Sequence, residues 1–271
     1  MRGISESIHG IHHLDAMAKK DNFITRLHPL AKVLVTFWYI LFVVSFGKYE
    51  LTGLLSLSLY LIFLIEITNI SLGRTLRQLR TIIIMVCFVG IANPFIDQSV
   101  WMKIGDVVIT GGMISMLTLL LKGVFALLAS YLLIATTTME NICYALRLLH
   151  VPKLIVTVIM LIYRYIILFM KEVERISLAY SLRAPKQKGI HYKAWGSLLG
   201  QMLLRSIDRA DIVYESMTIR GFKGDFYLRE FSNQSLGKNI TSVIYLIGTG
   251  CLITVFRFVP IFEIVGRMFH Q

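Results

Sequence analysis

The chain is short of the residues that staple, ligate or hydrolyse. Its three cysteines, Cys87, Cys143 and Cys251, are scattered over 271 residues, two of them inside apolar runs. They offer neither a disulfide framework nor a CxxC metal pair, and read as small buried apolar residues. No G-x-x-x-x-G-K-[ST] run occurs, so no loop of this chain is built to cradle ATP. No internal repeat is visible, which argues against a secondary carrier made of inverted halves. Acid is scarce as well: 16 Asp and Glu stand against 28 Lys and Arg, a net charge of +12. Such an excess invites a nucleic-acid reading, but in a chain as apolar as this one it marks cytoplasmic loops facing anionic lipid. The first 30 residues hold His9, His12, His13, Asp15, Lys19, Lys20 and Arg26 and no apolar h-region, so no cleavable signal peptide is expected.

What the chain has is apolar length. Hydrophobic residues make up 56% of it, with a mean hydropathy of +0.68. They fall in runs approaching the roughly 20 residues a helix needs to cross a hydrocarbon core. The runs are Val33–Phe46, Leu51–Ile67 after a tight turn at Gly47-Lys48-Tyr49-Glu50, Thr81–Ala92 ending at Asn93-Pro94, Met113–Ile134, and Ile240–Phe256. A basic strip, Arg74, Arg77 and Arg80, precedes the third, and the stretch between Pro94 and Gly112 reads as a loop. The first and third connections carry little net charge, whereas the N-terminal segment and the second connection are basic. The positive-inside rule therefore places the N-terminus in the cytoplasm. The expected architecture is an all-α integral membrane protein with about five transmembrane helices and a cytoplasmic helical segment. Its parts are an N-terminal segment over 1–30, four spans within 31–135, the helical segment over 136–238, and a last span and tail over 239–271.

The segment 136–238 is rich in cations. Leu154–Met170 within it is apolar enough to span, but Arg164 lies in its middle. An arginine at the bilayer centre costs ~2.5–3.5 kcal/mol even on a lenient insertion scale, and both flanks are basic. The expectation is an amphipathic helix in the interface or packed under the bundle, with spanning left open. Lys171–Arg183 and Tyr192–Arg220 read as two further helices. The second sets Leu198, Leu199, Met202, Leu203, Ile207, Ala210 and Val213 against Gln201, Arg205, Asp208, Asp211 and Glu215, the spacing of one buried and one wet face.

Two triplets in this segment repeat one device. Leu182-Arg183-Ala184 is followed by Pro185, which disfavours the α region for Ala184 and stops the helix there. Ile219-Arg220-Gly221 ends on a residue able to take the left-handed conformation that closes a helix. A cation near a helix C-terminus gains ~0.3–1 kcal/mol from the macrodipole and needs no other reason. A repeat at Arg183 and Arg220 with a breaker after each weakens that plain explanation and points to docking.

These two motifs on helices in a basic segment resemble the transmembrane T component of energy-coupling factor (ECF) importers, the EcfT/CbiQ family. There an Ala-Arg-Gly-type triplet recurs at the ends of two coupling helices. Met217-Thr218-Ile219-Arg220-Gly221-Phe222 looks like the family form, whereas Ser181-Leu182-Arg183-Ala184-Pro185 keeps the arginine and departs on both sides. Arg26-Leu27-His28-Pro29-Leu30-Ala31-Lys32 is similar to the family start. Layout and the His-rich N-terminal stretch bring the chain nearest the cobalt-type branch, CbiQ.

The resemblance implies a multi-pass scaffold in a prokaryotic inner or plasma membrane, with no enzyme activity and no cofactor. It would join two ABC ATPase subunits to a substrate-capture membrane subunit (an S component, or one like CbiM and CbiN) for cobalt or nickel uptake. A T component shared among vitamin importers is the alternative within the family. Arg183 with Ala184 and Arg220 with Gly221 would be the ATPase-coupling residues, each arginine entering an acidic groove on one ATPase.

Two other features carry rival readings. His9 with His13, or His12 with Asp15, share a face if that segment is helical; this is metal-ligand spacing, and would suit a stand-alone metal carrier or membrane enzyme. The segment lacks a covering shell, and no metal site is assigned to it. Lys122, within the fourth run, and Glu66, near the end of the second, are intramembrane charges. Such residues mark a path or a partner, unless they pair between helices of the bundle.

Overall fold

A computed structural model describes residues 18, 24–25, 27–68, 72–96, 100–104, 107–185, 189–224 and 240–258. The chain divides into two compact units, one of residues 18–138 and 234–271, the other of 1–17 and 139–233.

The first unit is a helix bundle: α1 (Pro29–Ser45), α2 (Leu51–Thr68), α3 (Leu72–Gly90), the one-turn α4 (Asn93–Ile96), α5 (Gly111–Thr136) and α9 (Ile240–Phe258). α5 is the central post, packing on α1, α2, α3 and α4, and α9 lies against α1 and α2. Periodicity explains the core. Val35, Tyr39 and Val43 repeat every four residues on α1, Leu54, Leu57, Leu61 and Ile65 line one side of α2, and Phe125, Leu128, Ala129 and Leu132 line α5. Ile253 of α9 closes the cluster. Tyr39 and Tyr60 pack as tilted rings with centroids 5.1 Å apart, and the Tyr60 and Tyr245 hydroxyls meet at 3.3 Å, giving those two phenols polar partners. α3 passes close to α5: a Cβ added at Gly123 would lie 2.9 Å from Val86 Cγ1. The outward residues are equally apolar; Phe37, Phe63, Met85 and Phe88 are all exposed, as lipid-facing side chains should be.

By length and composition, α2, α5 and the helix Lys153–Arg183 are long and apolar enough to cross a membrane, while Pro29–Ser45, Leu79–Phe95 and Ile240–Val255 are shorter apolar helices. The all-α membrane class expected from the sequence therefore holds. One connection differs. The stretch expected to be a plain loop contains α4 and an antiparallel hairpin, β1 (Val100–Ile104) with β2 (Val107–Thr110). Val100, Trp101 and Ile104 on one side and Val107, Val108, Ile109 and Thr110 on the other, all strand formers, flank Gly105-Asp106, a hairpin signal at the level of sequence.

The second unit holds α6 (Met139–Leu148), α7 (Lys153–Arg183) and α8 (Tyr192–Ile219). Leu154–Met170 and Lys171–Arg183, expected as separate helices, form one unbroken 31-residue helix. The sequence between them has no glycine or proline, so nothing interrupts the ladder. α6 packs on α7 and buries Cys143 and Ala145.

Candidate functional site

α7 ends where proline dictates. Arg183 is its last residue, Ala184 is the C-cap, and the Ala184 N–H donates to the Tyr180 carbonyl at 3.0 Å. α8 ends where glycine permits. Gly221 has φ +81°, the left-handed conformation open to a residue without Cβ. Its N–H donates to the Thr218 carbonyl, and that of Phe222 to the Met217 carbonyl, both at 2.9 Å. This double closure satisfies carbonyls a helix end would leave orphaned.

Both arginines are exposed, and each follows an exposed aliphatic residue, Leu182 at 75% and Ile219 at 87%. An arginine fork beside a bare aliphatic can pair with a carboxylate and pack its neighbour on apolar surface together. Charge-based reading of the sequence passes over these two bare aliphatic side chains, although each stands next to its arginine in the chain.

α7 and α8 run antiparallel. The Tyr180 hydroxyl accepts from the His191 N–H at 3.3 Å, Glu172 accepts from Arg205, and the Arg209 guanidinium sits 6.0 Å from the Tyr165 ring centroid. Arg220 lines a cleft with Leu161, twenty-two residues before Arg183. At 1.5 Å per residue the two arginines therefore lie ~30 Å apart, at opposite ends of the pair. The face of α8 expected to be buried is not: α8 buries no residue among the described ones. Leu199, Leu203, Ile207 and Tyr214 are all bare, because α7 meets α8 through a few long side chains only.

The intramembrane charges have separate settings. Lys122 Nζ donates to the Val44 carbonyl at 3.3 Å and to that of Phe46, capping the C-terminal end of α1. Its counterpart is Lys32, 3% exposed, whose Nζ donates to the Thr136 carbonyl at the end of α5 (3.0 Å) and to that of Thr25 (3.2 Å). Each lysine caps the other's helix, a use of positive charge that the macrodipole favours. Glu66 lies exposed on the last turns of α2. His9, His12, His13 and Asp15 fall outside the described residues. Among the described residues, no three His, Cys, Asp or Glu side chains are grouped to hold a metal ion.

The model of the CbiQ family, described as cobalt transport protein, matches residues 20–229. The chain belongs to the CbiQ family. That match spans α1 to α8 and both arginine ends, so the family assignment covers the membrane bundle and the α7/α8 pair together. No curated protein matches the chain. As a CbiQ protein it is a membrane component of cobalt transport.

Proposed function

We propose that this CbiQ protein is the coupling subunit of an ECF-type ABC importer for cobalt or nickel ions. Arg183 and Arg220 each engage an acidic groove on one of two ATPase subunits, with Ala184 and Gly221 fixing their direction. A separate membrane subunit captures the ion, and hydrolysis resides in the ATPases. The observation that carries this reading is the pair of exposed arginine tips, each beside a bare aliphatic, ~30 Å apart on an antiparallel helix pair. One tip would serve one ATPase. The family's description favours a metal ion over a vitamin.

The division of labour has a direct test. The purified chain alone should neither hydrolyse ATP nor bind Co²⁺ or Ni²⁺ tightly, and both activities should appear once the ATPases and capture subunit are added. Calorimetry would detect a preformed metal site, since bound metal stabilises the folded state by mass action. A stoichiometric micromolar signal that vanishes when His9, His12 and His13 become Ala would favour a stand-alone carrier instead.

Topology is part of the same proposal: an N-terminus in the cytoplasm of a prokaryotic cell, five spans, and a cytoplasmic segment from about Thr136 to Lys238. Arg164 argues for laying α7 along the interface although its length would allow a crossing. Single cysteines at positions 181 and 193 should label from the cytoplasmic side. Cys143 gives little background, because it is fully buried and burial, with the nearby Glu140 carboxylate adding, raises its thiol pKa. Labelling at 181 and 193 only from outside would overturn this topology.

A further inference from the structure

The cations of the second unit are not spread evenly. Arg164 of α7 and Arg209, Arg220 and Lys223 of α8 and its end all line one cleft of about 720 Å³. Among the described residues, no carboxylate lines it and none of the four makes an ion pair. A concave surface of one sign focuses its field and gathers counter-ions. The cleft also adjoins apolar surface. A second hollow of about 500 Å³ shares Leu161, Tyr165, Arg209, Val213, Met217 and Phe222 with it, and its other walls are almost wholly apolar. A free phosphate would fill the charged part and leave the apolar part bare.

We propose that this composite cleft binds one anionic phospholipid, the phosphate among Arg164, Arg209 and Lys223 and an acyl chain along Leu161, Val213 and Met217. Charge complementarity selects the head, and the contiguous apolar hollow selects a lipid over a soluble anion. Helices lying in an interface meet headgroups at this depth, and basic pockets between helices on the cytoplasmic side are suited to them. The bare Tyr192 and Trp195 near the start of α8 are the amphipathic aromatics expected at headgroup level. The site also gives Arg164 a reason to interrupt an apolar stretch: at headgroup depth it meets a phosphate, not hydrocarbon. The inference does not need the coupling role, since Arg220 only completes one wall.

The test uses the full chain, delipidated in neutral detergent, with native mass spectrometry and titration as readouts. Wild-type protein should take up one phosphatidylglycerol per chain and prefer it to phosphatidylcholine by about tenfold or more, whereas inorganic phosphate should not compete at comparable concentration. Arg164→Gln with Arg209→Gln should lower phosphatidylglycerol affinity about fivefold per cation removed, the ordinary worth of one Lys or Arg at an anionic surface. Phosphatidylcholine binding should not change. Arg164→Lys with Arg209→Lys should keep most of the preference. Equal affinity of the wild type for the two lipids would overturn the proposal whatever the variants do. So would tight competition by inorganic phosphate, or a Gln double variant that binds as the wild type does. If that variant instead loses co-purifying protein while lipid binding persists, the cleft belongs to an acidic protein segment and the lipid assignment fails.

Discussion

Arg183→Glu combined with Arg220→Glu is expected to abolish ATP-driven uptake while the protein still inserts and folds. Both side chains are exposed and neither forms an ion pair among the described residues, so reversing their charge breaks no ion pair among those residues. At an acidic groove the same change replaces an attraction by a repulsion and leaves the facing carboxylate unpaired, a loss of ~2–5 kcal/mol per site. The sites lie ~30 Å apart, and with each serving its own ATPase, as proposed, the two losses should add. Each single variant should keep partial coupling, and the double variant should lose ATPase co-purification. Normal uptake by the double variant would remove the basis of the coupling proposal. Leu182→Asp or Ile219→Asp should weaken the same association less, since each arginine remains.

Lys32→Met is expected to destabilise the bundle by about 2–3 kcal/mol, although it removes a buried charge and keeps the apolar stem. Burying an ammonium is costly, and an apolar isostere can be neutral where the partner is removed with it. Here the partners stay. The Thr136 and Thr25 carbonyls that accept from Lys32 would be left without that donor in a water-poor setting, and hydrogen bonds from charged donors are worth ~1.5–3 kcal/mol each. A fall in the thermal midpoint of the purified protein would register this, with Lys32→Arg intermediate. Lys122→Met should act similarly at the end of α1. Fourteen residues of α5 separate Lys122 from Thr136, about 20 Å, so the two effects should be nearly additive. An unchanged or higher midpoint for Lys32→Met would mean that its desolvation cost outweighs its bonds.

Sequence alone determined the membrane class, the runs that became α1, α2, α5 and α9, and the points where α7 and α8 stop. Each follows from strictly local physics. Apolar length matches hydrocarbon thickness, Pro185 disfavours helix at Ala184, and Gly221 takes a conformation that closes one. The same local signals marked Arg183 and Arg220. Two lysines show where local reading needed a longer rule. Lys32 falls in step with Val35, Tyr39 and Val43, and Lys122 with Thr118, Phe125 and Ala129. Periodicity therefore put both on core faces, but only the antiparallel packing of α1 on α5 brought each within reach of the other helix's terminal carbonyls. Tertiary structure alone decided three further matters. It set the arginines at opposite ends of a pair, left the apolar face of α8 bare, and gathered Arg164, Arg209, Arg220 and Lys223 into one cleft. Spacing along a chain fixes which face of a helix a residue occupies; which helix that face meets, and whether it meets any, depends on contacts between residues far apart in sequence.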